Sequence, residues 1–213
     1  MEKLLEQSIW IQQSELYERD PQLSENGKSI VLNAVRMIAD NGLDGFTLKK
    51  LAQECGITEP TIYRYFSNKI SLCAYICSIH WTWRQWQVVV ATNNIKSGKK
   101  KLVKIAELFL EDVPESRILR GVKCNDLATI VHCDWTRLLH PIHYSPATTK
   151  SYDELMARIC AIVNEVNPNY VFAGEFARTF LELCFSLYPS SQRSRQGDVK
   201  HSVKFIKHLI EQL

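Results

Sequence analysis

The stretch FTLKKLAQECGITEPTIYRYFSNK, residues 46–69, decides how this chain folds. Its residues Leu48, Leu51, Ala52 and Cys55 recur at the three- and four-residue spacing of a helix face, and Thr47 stands ahead of them as a capping side chain. Gly56 supplies a sharp exit, because glycine enters the left-handed backbone region at little cost. Thr58 can cap a second short helix in which Pro60 occupies the first turn, where its missing N–H costs little. Ile62 and Phe66, four apart, face back against the preceding helix, which leaves Thr61, Tyr63, Arg64 and Tyr65 on the outer sides. Two short helices about a tight glycine turn, the second presenting polar and aromatic residues, form the geometry that lays a recognition helix in the major groove of DNA. Helix-glycine-helix hairpins also serve as plain packing devices, and Lys49 and Lys50 also fit an ordinary solvated pair.

Working outward, Ser24 caps an earlier helix whose face is Ile30, Val31, Ala34, Val35 and Ile38, closed at Asn41-Gly42. On the other side Ser67-Asn68 break and recap the chain, and a long helix runs from Lys69 through Trp86 to about Ala91, roughly 33 Å at 1.5 Å per residue. Residues 1 to about 23 hold an amphipathic stretch, Leu4, Leu5, Ile9, Trp10, Leu16 and Tyr17, that fits a docked helix or a frayed arm. Beyond a polar linker at 93–98, helices are expected near 99–112, 122–139, 150–166, 170–188 and 196–212, between Pro114, Gly121, Pro141, Pro146, Pro168 and Pro189. The fold class is therefore all-α. A three-helix DNA-binding domain at 24–70 follows an extension at 1–23 and precedes a larger helical-bundle regulatory and dimerisation domain at 71–213.

Composition sets limits on function. Hydrophobic residues make up 46% and charged residues 23% of 213, enough apolar surface for a substantial core. No apolar run approaches the ~20 residues of a membrane span, and the N-terminus carries acids where a signal peptide carries a basic region, so a cytoplasmic protein without a membrane partner is expected. The seven cysteines, at 55, 73, 77, 124, 133, 160 and 184, are odd in number and fit helix interiors, so they read as reduced core residues. A net charge of +3 is only weakly basic, and any nucleic-acid affinity must come from a local patch.

With these residues in view, the run from Phe46 to Lys69 strongly resembles the tetracycline-repressor (TetR) family, over about residues 26 to 75. The resemblance implies a transcriptional regulator, a repressor that binds a near-palindromic double-stranded operator as a homodimer and is released by a small-molecule effector. It puts base contacts at Lys49, Glu59, Pro60, Thr61 and Tyr63, and phosphate contacts at Thr47, Tyr65 and Lys69. The chemistry of each fits on its own terms. Lysine donates to guanine, glutamate accepts from cytosine N4, Pro60 and Thr61 can touch a thymine methyl, and Thr47, Tyr65 and Lys69 can donate to phosphate oxygens. Glu59 either selects cytosine or caps its helix and faces solvent.

In the C-terminal region the stretch 170–188 is apolar nearly all round, with Phe172, Phe176 and Phe180, relieved by the stripe Glu175, Arg178, Glu182. The last helix has two apolar stripes, one with Val199, Val203, Ile206 and Ile210 and another with Phe205, Leu209 and Leu213. One stripe can face its own core and the other a partner, and in the resembling family such helices form a four-helix dimer bundle. Trp83, Trp86, Phe109, Trp135 and His132 supply aromatic surface with polar handles, which the resemblance makes a ligand cavity. The alternative for them is plain core. Cys77 with His80, His132 with Cys133, and His140 with His143 give no closed ligand set, so neither a metal nor a cofactor is expected. Control by a protein partner or thiol oxidation stays open. A helical enzyme has no supporting motif: G-x-S-x-G, P-loop, dinucleotide-binding glycines and H-E-x-x-H are all missing.

Overall fold

A computed structural model describes residues 14–110, 125–131, 146–187 and 196–213, and every regular element among them is helical. The elements are α1 (Glu25–Gly45), α2 (Leu48–Glu54), α3 (Glu59–Tyr63), α4 (Lys69–Thr92), α5 (Gly98–Leu110), α6 (residues 125–131), α7 (Pro146–Val166), α8 (Ala173–Leu187) and α9 (Gln196–Glu211). Among the described residues, no helix is long and apolar enough to cross a membrane.

Local chemistry explains most boundaries. The Ser24 side chain accepts from Gly27 N–H at 3.2 Å and starts α1. Ile30, Val31, Ala34, Val35 and Ile38 are buried, as their spacing predicts. At Gly42 the backbone leaves the helix with φ +69°, the expected terminator, and one further turn reaches Gly45. Thr47 caps α2 by accepting from Lys50 N–H at 3.2 Å, and Gly56 turns the chain with φ +65°. Asn68 Oδ1 accepts from Ser71 N–H at 2.9 Å and opens α4, the expected recapping. α7 starts four residues before its expected position because Pro146 is tolerated where N–H groups have no helical partner. α8 starts later than expected, since Asn167 and Tyr170 close a separate turn first.

Thr58 behaves differently from its expected role. It sits at the N-cap of α3 without a side-chain capping bond, and its hydroxyl pairs with that of Thr61 at 2.9 Å.

The described residues group into two compact units, one of residues 14–83, 125–131 and 146–151, the other of residues 84–110, 152–187 and 196–213. In the first, α4 is enclosed nearly all round: Leu72, Tyr75, Ile76, His80, Trp81 and Trp83 are all buried. Residues 14–23 are docked here through two short 3-10 turns, with Leu16 and Pro21 buried; Leu4, Leu5, Ile9 and Trp10 lie outside the described residues. In the second, Leu102, Ile105, Phe109, Ile159, Val163, Leu181, Ile206 and Ile210 form the core. Its rim is tied by Lys101 to Glu165 and by Lys99 Nζ donating to the Glu211 carbonyl at 3.0 Å.

Candidate nucleic-acid interface

The interface is built on α2 and α3. Ile57 N–H donates to the Ala52 carbonyl at 3.0 Å and Gly56 N–H to that of Gln53 at 3.1 Å, which closes the turn between the two helices. Ile62 and Phe66 are fully buried and seat α3, as their spacing predicts. Thr47, Lys49 and Pro60 are exposed, Glu59 and Thr61 are half-buried, and the Tyr63 ring is 47% exposed. Along α3 the Tyr63 hydroxyl donates to Glu59 Oε1 at 3.4 Å, which links two residues of the expected base-contacting set. Lys50 Nζ reaches the Gly45 carbonyl at 3.1 Å, which leaves Lys49 as the more outward of the two lysines. The result is one polar and aromatic surface with a cation, a carboxylate, hydroxyls and an apolar proline edge, a set able to address the donors, acceptors and methyl groups of base edges.

Two residues of the expected set are placed otherwise. Tyr65 is not on an outer side: it is 3% exposed, and its hydroxyl pairs with Ser24 Oγ at 2.8 Å. The helix has ended by Arg64, so the chain at Tyr65 no longer follows the angular step that put its side chain outward. Lys69 is half-buried and donates to the carbonyls of Leu43 at 2.9 Å and Phe46 at 3.2 Å, at the C-terminal end of α1, where the Leu43 oxygen also accepts from the Phe46 N–H at 3.3 Å. Its ammonium therefore acts first as a cap inside the domain.

Of the aromatic residues expected to line a cavity, Trp83, Trp86 and Phe109 are among the described residues. Trp83 is buried in the first unit beside His80, ring centres 6.1 Å apart, and Trp86 is half-buried. Phe109 belongs to the core of the second unit, between the Arg84 guanidinium at 4.8 Å and Phe185 at 5.8 Å. Trp135 and His132 lie outside the described residues. A groove of about 440 Å³ opens between α7 and α8, lined by Met156, Ala157, Cys160, Gly174, Glu175, Arg178 and Thr179. None of these residues stood out in the sequence as a lining set, since only their pairing across two helices makes a concavity. Among the described residues no group of three His, Cys, Asp or Glu side chains is placed to hold a metal.

Of the expected partner-facing residues, Phe172 is 59%, Phe205 45% and Leu209 38% exposed, while Ile206 and Ile210 on the other stripe of α9 are buried. Phe176 is half-buried and stacks on Phe180 at 5.9 Å. Phe180 itself is 4% exposed, because it shares the inward face of α8 with Ala177, Leu181 and Cys184, and it belongs to the chain's own core rather than to a surface.

Residues 30–76 match the sequence profile described as bacterial regulatory proteins, tetR family. Over 47 residues the chain is 40% identical to the tetracycline repressor protein class D of Escherichia coli and equally to class H of Photobacterium damsela subsp. piscicida, each match covering 22% of this chain and 22% of the relative. The matched segment thus spans about a fifth of those relatives' length. The fold is similar to that of AibR in complex with isovaleryl coenzyme A and operator DNA, at TM-score 0.67 and 17% identity, over 87% of this chain and 97% of that one. It is also similar to a transcriptional regulator from Saccharomonospora viridis in complex with choline, at TM-score 0.66 and 20% identity, over 88% and 97%. A third likeness, to the ketosteroid regulator KstR2 of Mycobacterium tuberculosis, has TM-score 0.63 and 13% identity, over 88% and 94%.

Proposed function

We propose, from the match of residues 30–76 to the tetR family of bacterial regulatory proteins, that this chain reads a near-palindromic operator as a homodimer and responds to a small-molecule effector. The observation that carries the reading is the outward surface of α2 and α3: Lys49, Pro60 and Tyr63 are presented to solvent, with Thr61 half-buried among them, by a helix pair whose inward residues Ile62 and Phe66 are fully buried. Base contacts are proposed for Lys49, Glu59, Pro60, Thr61 and Tyr63, and a phosphate contact for Thr47. A homodimer through Phe172, Phe205 and Leu209 is supported by their exposure, Phe205 and Leu209 on α9, whose other face is core, and Phe172 in the turn just before α8. Two copies related by a twofold axis would set their recognition helices about 34 Å apart or a multiple of it, which makes the site palindromic.

The effector part rests on α4, which continues unbroken from Lys69, just after the reading head, to Thr92 past Trp83 and Trp86. The related structures that hold isovaleryl coenzyme A and choline support a small molecule as the signal. A ligand that displaces the Trp83–Trp86 end of α4 and weakens operator binding tenfold must itself bind tenfold more weakly to the DNA-bound dimer, a coupling of about 1.4 kcal/mol. Selection of bound duplexes from a random pool tests the proposal as a whole. Enrichment of a near-palindrome supports it, and a pool that stays random at low salt contradicts it.

A further inference from the structure

The recognition helix α3 has only five residues, far too few to be stable alone, so something outside it must fix its orientation. Its C-terminal end is gripped by the segment ahead of α1. Glu18 N–H donates to the Tyr65 carbonyl at 2.8 Å, satisfying an oxygen just past the helix end. The Arg19 guanidinium lies over the Tyr65 ring, 5.6 Å from its centre, where a cation also complements the negative end of the helix dipole. Ser24 Oγ takes the Tyr65 hydroxyl at 2.8 Å while also capping α1. Tyr65 is thus held by carbonyl, ring face and hydroxyl at once.

The same segment is anchored on α4. Gln22 Nε2 donates to the Tyr75 hydroxyl at 3.0 Å, Tyr17 meets the Tyr75 ring edge-on at 5.8 Å, and Tyr75 packs against Phe66 at 5.4 Å. At Gly27 the Pro21 backbone lies so close that any Cβ there would overlap it, so the segment sits directly on the first turn of α1. We propose that residues 14–24 are a clamp that positions the recognition helix, so that the segment before α1 is part of the DNA-reading head. The inference rests on the DNA-reading function proposed above and adds to it the residues Glu18, Arg19, Gln22 and Ser24, whose part is to hold Tyr65 and Tyr75.

Gly27→Ala in the full chain is the direct test. Alanine is a better helix former than glycine, so the substitution displaces the clamp without weakening the helix beneath it. The readouts are affinity for the selected operator, affinity for a scrambled duplex, dimer mass, and hydrogen exchange at the Glu18 amide. The clamp predicts faster exchange at Glu18, an unchanged dimer, and about a tenfold loss of operator affinity with scrambled-duplex affinity within about twofold of wild type. Arg19→Ala combined with Gln22→Ala should behave alike, and Arg19→Lys should restore most of the loss; this pair decides the matter if Gly27→Ala does not fold. Retained operator preference with a released Glu18 amide overturns the clamp alone, as does an equal loss on both duplexes. A wild-type chain that prefers no duplex overturns the DNA-reading account and the clamp with it.

Discussion

Replacing Lys69 by Met keeps the aliphatic stem and removes the ammonium, which separates two roles for this residue. The family resemblance makes it a phosphate contact, whereas the structure commits two of its three N–H groups to the Leu43 and Phe46 carbonyls, at 2.9 and 3.2 Å. A cation at the start of α4 is poorly placed relative to that helix's own dipole, so its position is explained by the negative end of α1 beside it. Charge-assisted hydrogen bonds contribute about 1.5–3 kcal/mol each, and a half-buried pair belongs at the low end. Water can replace part of the bonding to the carbonyls left behind, which reduces the expected loss to about 2 kcal/mol. With a urea slope of roughly 1–3 kcal/mol per molar, the unfolding midpoint should fall by about 1 M at unchanged slope. Equilibrium urea unfolding followed by circular dichroism reads this directly. A stability change under about 0.5 kcal/mol, together with a loss of about one unit from the salt slope of DNA binding, would refute the capping argument and return Lys69 to the phosphate set.

Phe205→Asp with Leu209→Asp should convert the dimer to a monomer and abolish operator binding while leaving the far-ultraviolet spectrum intact, since both side chains are exposed on α9; a dimeric mass for the double variant contradicts the proposed interface. Thr61→Ala should relax the base preference at one position per half-site at a cost of about 1–3 kcal/mol there, and an unchanged selected sequence removes Thr61 from the reading set. Burial raises the Cys184 thiol from its ordinary 9.0 to about 12 and also pushes the Tyr75 phenol upward. The folded chain then keeps protons that the unfolded chain releases, so this contribution is intact below about pH 9 and is lost as the pH rises toward 12. The melting temperature should therefore drop across that range, less steeply in Cys184→Ala, and a flat profile contradicts the assignment.

What could be read in advance follows the range of the interactions involved. Gly42 and Gly56 stop their helices, and Ile62 and Phe66 seat α3, through contacts and backbone preferences a few residues wide, so spacing and residue type suffice. Tyr65 and Lys69 escaped because their partners are distant in the chain: Ser24 lies 41 residues from Tyr65, and Leu43 and Phe46 lie 26 and 23 residues from Lys69. A helical projection also fails for Tyr65 once the helix has ended at Arg64. Phe180 looked equivalent to Phe172 and Phe176 in a helix apolar nearly all round, and only packing separates the buried ring from the exposed one. The groove between α7 and α8 had no signal at all, because Cys160 and Gly174 become neighbours only through the pairing of two helices.

The central claim, that the outward face of α2 and α3 reads DNA sequence, is tested most directly by titrating the full chain onto two duplexes over a range of salt, one carrying the selected site and one a scrambled copy. The account predicts about a thousandfold or greater preference for the selected site at physiological salt, two chains per duplex, and affinity for both duplexes that falls as salt rises. Equal affinity for the two duplexes, at any salt concentration, would contradict it.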